Sequence, residues 1–122
     1  MKISKEQFDK LVEQALESLP EKIKAKMNNV AILVEDFPNK TQLGRLGGKS
    51  QYTLFGLFEG YAQAKRLNFG PVLPDRITIF RKPICQYARN ESEVRQQVVS
   101  TVKHEIAHHF GSNENGARKA SK

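Results

Sequence analysis

All three histidines of the chain fall inside one ten-residue stretch, VKHEIAHHFG, residues 102–111. His104 and His108 stand four apart, Glu105 follows the first, and His109 follows the second. On a helix, His104 and His108 are separated by only about 40° around the axis, so both imidazoles can reach one point. Two neutral imidazoles so placed suit a zinc ion, which in reactive sites takes three protein ligands plus water. Glu105 lies about 100° from His104, flanking the same face without ligating. There it can accept a proton from a water whose pKa the metal lowers to about 7, and pass it to a leaving amine. This is the His-Glu-x-x-His arrangement of zinc hydrolases. The plainer reading is a helix with two surface histidines. His109 differs: it lies about 100° beyond His108, inside the apolar stripe, and is expected to be a buried or half-buried structural residue. A helix cannot bring positions 104, 108 and 109 onto one tetrahedral ion.

The element that must carry these residues is marked at both ends. Asn90 and Glu93 have capping-box spacing and open a helix of about 20 residues, 91–110. Val94, Val98, Val99, Val102, Ile106 and Phe110 form its apolar stripe. Gly111 stands where a left-handed cap would end it. Upstream, Ser4 and Gln7 form a second capping box, and Phe8, Leu11, Val12, Ala15, Leu16 and Leu19 give an amphipathic helix over 5–18, ended by Pro20. PEKIKAKM reads as a short second helix. VAILV (30–34) reads as a buried strand, YTLFGLFEG (52–60) as a strand interrupted by glycine, and RITIF (76–80) as a third strand. PICQYAR reads as a helical turn or more. Residues 36–51 and 61–75 read as long loops, rich in Gly and Pro. The sum is an α/β (α+β) single domain: a short sheet of about three strands packed on helices, with the longest helix last. Residues 1–114 form the domain, and 115–122 a polar basic tail expected to be disordered.

Composition removes several classes of function. The chain has 122 residues, enough for one domain with one core. No apolar run approaches the roughly 20 residues of a membrane span, so no membrane association is expected. The N-terminal MKISKEQFDK has no hydrophobic signal core, and the single cysteine, Cys85, suits a reducing compartment; a cytoplasmic location is expected. Cys85 reads as a small half-buried residue rather than a nucleophile. The net charge of +7 invites a nucleic-acid partner, but the cations are scattered, with enrichment at 22–26, 40–49 and 118–122, and solvated faces explain them better. GRLGGKS (44–50) imitates a phosphate-binding loop but has three residues, not four, between Gly44 and Gly48, and reads as a basic loop.

NVAILVED, LFGLFEG, VLPDRITIF and VKHEIAHHFG occur in the order found in a family of small bacterial zincin-like proteins, the minimal metalloproteases, which the chain resembles from about Phe8 to about Glu114. The resemblance implies a compact zincin-like fold, zinc held by His104 and His108, and Glu105 as base. The family pattern extends to His-Glu-x-x-His-x-x-Gly-x-x-Asp; Gly111 matches, and Glu114 stands at the last position in place of Asp. Glu114 is also the only side-chain carboxylate after His109. An unbroken helix would carry it about 9 Å beyond His108, so the chain must turn back at Gly111, a residue that enters the left-handed region at little cost. Asn113, the C-terminal carboxylate and the upstream Asp75 are the rivals for the third ligand.

Two readings of function follow. The first is a zinc-dependent metallopeptidase of minimal zincin type, acting on a peptide or protein substrate that adds to an edge strand, either 52–58 or 76–80, by main-chain pairing. No methionine follows the helix and only eleven residues follow Gly111, so cover for a substrate is expected from loops 36–51 and 60–75 or from a partner. Tyr52, Tyr61, Tyr87 and several arginines are candidates to stabilise an oxyanion, and nothing in the sequence selects among them. The alternative is a zinc-bound zincin-like protein without turnover, acting as a protein-interaction module. Nothing in the sequence selects an oligomeric state.

Overall fold

The computed structural model describes residues 1–45, 50–60 and 75–111. Helix α1, Lys5–Glu17, starts at Ser4, whose Oγ accepts the Gln7 N–H at 3.1 Å. The other half of that capping box is not made. The Gln7 side-chain amide instead donates to Glu91 Oε2 at 2.8 Å, tying the start of α1 to the start of the last helix. Helix α2, Glu21–Lys26, follows Pro20. Strand β1, Val30–Glu35, leads to a short helix α3, Lys40–Arg45. Strands β2, Gly56–Glu59, and β3, Asp75–Phe80, come next, then helix α4, Arg81–Tyr87, and helix α5, Glu91–Gly111.

The three strands form a mixed sheet in the order β1-β3-β2. Strand β3 is central, parallel to β1 with Ile32 opposite Ile77, and antiparallel to β2 with Phe58 opposite Ile77. Being central, it is covered on both faces: Ile77, Thr78, Ile79 and Phe80 are all buried. Residues 76–80 are therefore not an edge strand; the edges of the sheet are β1 and β2. Ile77 and Ile79 pack into one core with Phe8, Leu11, Val12 and Ala15 of α1, Ile84 of α4, and Val94, Val98, Val102 and Ile106 of α5. The fold is a small single-domain α+β structure with its longest helix last, as the periodicity predicts.

Three expectations change. The apolar run 30–34 is not a buried strand: Leu33 is 42% exposed and Glu35 is exposed, because β1 lies at the sheet edge. The strand expected over 52–60 is confined to 56–59, since Ser50 caps a turn before it by accepting the Tyr52 N–H on its Oγ and the Thr53 N–H on its carbonyl. Part of the loop expected over 36–51 is helix α3. Asn39 Oδ1 accepts the Gln42 N–H at 2.8 Å while Gln42 Oε1 accepts the Asn39 N–H at 2.9 Å, a reciprocal cap of amide on amide. Gly44 lies within that helix; residues 46–49 of the phosphate-loop imitation fall outside the described residues. So do most of the loop over 61–75 and the tail over 115–122.

The first half of the α5 capping box is made as expected, and the second half is displaced by one residue, to Arg89. Asn90 Oδ1 accepts the Glu93 N–H at 2.8 Å, and Glu93 Oε1 reaches back to the Arg89 N–H at 2.7 Å. Asn90→Ala removes the first of these bonds and should destabilise the protein by about 1 kcal/mol. Urea unfolding checks this: an unchanged midpoint would show that the cap contributes nothing.

Candidate metal centre

The apolar seam of α5 decides what its other faces meet. Val94, Val98, Val102 and Ile106 are fully buried and point into the core. Measured from Ile106, His109 lies about 60° to one side, Glu105 about 100°, Thr101 about 140° and His108 about 160°, with His104 beyond it. Burial follows this order: His109 and Glu105 are half-buried, and His104 and His108 are exposed.

Thr101, Glu105 and His109 form one row along the helix, and each meets β2 or the residue after it. A methyl group built on Gly56 would lie against Thr101 Cγ2. The Phe58 main-chain N–H donates to Glu105 Oε1 at 2.9 Å. The His109 ring stacks on the Phe58 ring, with centroids 3.8 Å apart and planes 20° from parallel, and a methyl group on Gly60 would lie 3.3 Å from His109 Cε1. Phe110 closes edge-on against His109, with centroids 5.0 Å apart. His109 thus occupies the half-buried, packed position that its phase on the helix predicts.

The Phe58 bond also reveals which way β2 faces. The Phe80 N–H donates to the Phe55 carbonyl, so odd-numbered residues of this strand bond to β3 and even-numbered ones point outward. Glu105 therefore reaches the outer edge of β2. One carboxylate oxygen is held by the backbone, while Oε2 has no such anchor among the described residues.

His104 and His108 stand on the next row towards solvent. Their rings are nearly parallel, 17° apart, with centroids separated by 5.9 Å. An ion bound through one nitrogen of each ring sits about 3.2 Å from each ring centre, taking a Zn–N distance of about 2.0–2.1 Å, so the centroids must lie within about 6.4 Å. The observed separation lies within that limit. Among the described residues, no group of three or more His, Cys, Asp or Glu is placed to hold a metal ion. Asp75, the upstream rival, is therefore not assembled with the two histidines; its carboxylate lies near Gly60, on the side of His109. Glu114, Asn113 and the C-terminal carboxylate lie outside the described residues.

The surroundings are open. A groove of about 820 Å³ runs between α1 and α5, past Val99 and Lys103, and ends at His104. On the far side of β2, Glu59 is buried and accepts from Gln42 Nε2 of α3 at 3.3 Å, with Arg76 Nε at 3.5 Å, so α3 is pinned to the back of the strand that holds Glu105. Tyr52 packs edge-on against Phe37, and Tyr87 lies tilted against Phe55; Tyr61 lies outside the described residues. Cys85 is buried, and burial pushes its thiol pKa up, which keeps it protonated and unreactive at neutral pH.

The sequence reading misses the role of β2 as the support of Glu105. The bond joins residues 47 apart through a main-chain N–H, and no residue type announces it. The glycines at 56 and 60 are its only visible trace.

His109→Ala removes the stacked ring and should lower stability by about 1 kcal/mol, the scale of an aromatic pair, while leaving zinc affinity within about threefold of the parent, a span under 1 kcal/mol. A chelator competition and a melting curve on the same sample test both parts. A large loss of zinc affinity would place His109 among the ligands.

A sequence profile described as zincin-like metallopeptidase matches residues 27–120. No curated protein matches the chain. Among solved structures, a conserved hypothetical protein from Thermus thermophilus superposes with a TM-score of 0.55 at 21% identity, covering 89% of this chain and 95% of that one. That likeness speaks to the fold alone. Among the described residues no helix is long and apolar enough to cross a membrane. The family match spans most of the chain and includes the helix that carries His104, Glu105 and His108, and the chain belongs to the zincin-like metallopeptidase family.

Proposed function

We propose that the chain is a zinc-dependent metallopeptidase of minimal zincin type, with His104, His108 and Glu114 as zinc ligands and Glu105 as general base. The observation that carries this reading is the division of labour on α5. Two imidazoles share a solvent-facing row at 5.9 Å, while the glutamate beside them is turned away and anchored on a strand edge. A surface helix rich in histidine needs no such anchor.

Zinc, when bound, supplies a Lewis acid and lowers the pKa of a water molecule to about 7. Glu105 holds one oxygen on the Phe58 N–H and presents the other to accept the proton of the attacking water. It then returns that proton to the amine as the peptide bond breaks. Fixing one oxygen restricts a side chain with three rotatable bonds, so less ordering remains for the reactive step. The substrate in this reading is a peptide or protein segment, and it does not pair with β2 at Phe58, whose outward main-chain N–H is already taken by Glu105. Glu114 is the third ligand in this reading, which requires the chain to turn back beyond Gly111, the last residue of α5. A cytoplasmic location belongs to the same reading and rests on the single cysteine.

The exposure of both histidines supports a second reading, a zinc-bound interaction module without turnover. Glu105→Gln separates the two. The amide keeps an acceptor for the Phe58 N–H but cannot take up a proton, so it should retain zinc and lose at least about 10²-fold in hydrolysis of a peptide library. Cleavage that persists in pure Glu105→Gln protein removes Glu105 from the role of base; wild-type protein that binds zinc and cleaves nothing favours the module.

The third ligand has its own test. Glu114→Ala should weaken zinc binding by at least about tenfold, equivalent to 1.4 kcal/mol, and Glu114→Asp should largely preserve it. Unchanged affinity in the alanine variant, measured against a competing chelator, removes Glu114 from the ligand set.

A further inference from the structure

Gly56 opens β2 and is buried. A methyl group built on it would come 2.4 Å from Thr101 Cγ2, 3.2 Å from the Thr78 carbonyl oxygen and 3.5 Å from Ile79 Cδ1. Carbon atoms pack at about 3.5–4.0 Å, so the first approach is a severe overlap. Thr101 cannot easily yield, because a β-branched side chain in a helix has few χ1 states. The strand backbone therefore lies directly against the helix at this point, and only a residue without a side chain permits it.

This contact is in step with the one that holds the proposed base. Thr101 and Glu105 are four apart on α5, about 6 Å along the axis. Gly56 and Phe58 are two apart on β2, about 6.7 Å along the strand. The Gly56–Thr101 approach and the bond from the Phe58 N–H to Glu105 Oε1 are successive rungs of one helix–strand contact. The spacing at the first rung sets the spacing at the second.

We propose that Gly56 and Thr101 are positioning residues: together they fix the distance between β2 and α5 at which the Phe58 N–H holds the Glu105 carboxylate. The proposal rests on the reading of Glu105 as general base for its catalytic consequence, but its structural content does not. A side chain at position 56 pushes β2 off the helix, lengthens the Phe58–Glu105 bond and frees the carboxylate. His104 and His108 face solvent on a neighbouring row and are not moved.

The test uses the full chain with zinc added and four variants: Gly56→Ala, Thr101→Ala, the double variant, and Glu105→Ala as the reference for an unprotected Phe58 amide. Hydrogen exchange at that amide is read by NMR. Gly56→Ala should speed its exchange at least about tenfold, towards the Glu105→Ala rate, and Thr101→Ala should change it by less than about threefold. The double variant should return to within about threefold of the parent, because the remaining 3.2 Å approach to the Thr78 carbonyl needs a shift of only a few tenths of an ångström. Zinc affinity should stay within about threefold in all of these except Glu105→Ala, for which none is required. Where the parent turns over a peptide, kcat should fall in Gly56→Ala and recover in the double variant, with KM unchanged, the pattern of a group that acts in the reactive step.

A Phe58 amide as protected in Gly56→Ala as in the parent overturns the proposal, and so does a double variant no better than Gly56→Ala. Should Gly56→Ala fail to fold, a folded double variant with a protected Phe58 amide supports it, and a double variant that also fails to fold overturns it. A parent that cleaves no peptide counts against the hydrolytic reading alone, since the exchange rates report on the spacing without turnover.

Discussion

Helix α5 advances about 6 Å in four residues and strand β2 about 6.7 Å in two, and this near-match governs the site. It lets Thr101 meet Gly56 by close packing, Glu105 meet the Phe58 N–H by a hydrogen bond, and His109 lie against Gly60 while its ring stacks on Phe58. Each contact is of a different kind, and all three depend on one distance between helix and strand. The row beside them, His104 and His108, touches none of this and faces water. A helix face that supports itself on a strand and a helix face that is left open are adjacent, and the carboxylate stands at their boundary.

The phase of these rows is set from behind. Val94, Val98, Val102 and Ile106 lose all exposure against α1 and the central strand, and rotating α5 by even half a residue step would draw that seam out of the core. Burying a valine or isoleucine side chain is worth about 1.5–3 kcal/mol, so four of them outweigh the single hydrogen bond at Glu105, whose net contribution is about 1.5–3 kcal/mol for a charged acceptor. Packing holds the helix and the polar contacts take the geometry it leaves. At its other end α5 is joined to α1 through Gln7 and Glu91, and α3 is pinned behind β2 through Gln42 and Glu59, so both supports of the site are tied to the rest of the molecule.

What can be read from the sequence follows from how local each signal is. The helix expected over 91–110 and found at Glu91–Gly111, its cap at Asn90 and its seam of valines are all statements about residues three, four or seven apart, and the structure agrees with them except that Gly111 lies inside the helix. The cap of α3 is equally local, an Asn39 and a Gln42 three apart, but its acceptor and donor are both amides and the segment reads as loop. The exposure of β1 cannot be read, because VAILV has the same composition at the edge of a sheet as at its centre, and strand order is settled by pairing over long separations. The anchor of Glu105 lies further out of reach: its donor is a main-chain N–H, common to nearly every residue, and only the fold selects Phe58. Gly56 and Gly60 mark the place, as glycines inside a strand pattern often mark a close backbone approach, without saying what approaches. The third ligand expected at Glu114 lies outside the described residues, so its place rests on the sequence.

The account turns on one ion held by two imidazoles of α5. Zinc-edge X-ray absorption on protein purified without metal-affinity chromatography reads that directly, since it counts the ligands and separates imidazole nitrogen from carboxylate oxygen. The account predicts one zinc per chain with two imidazoles at about 2.0–2.1 Å and the remaining positions filled by oxygen. Zinc bound by one histidine or by none, or protein that takes up no zinc when it is supplied, would contradict it.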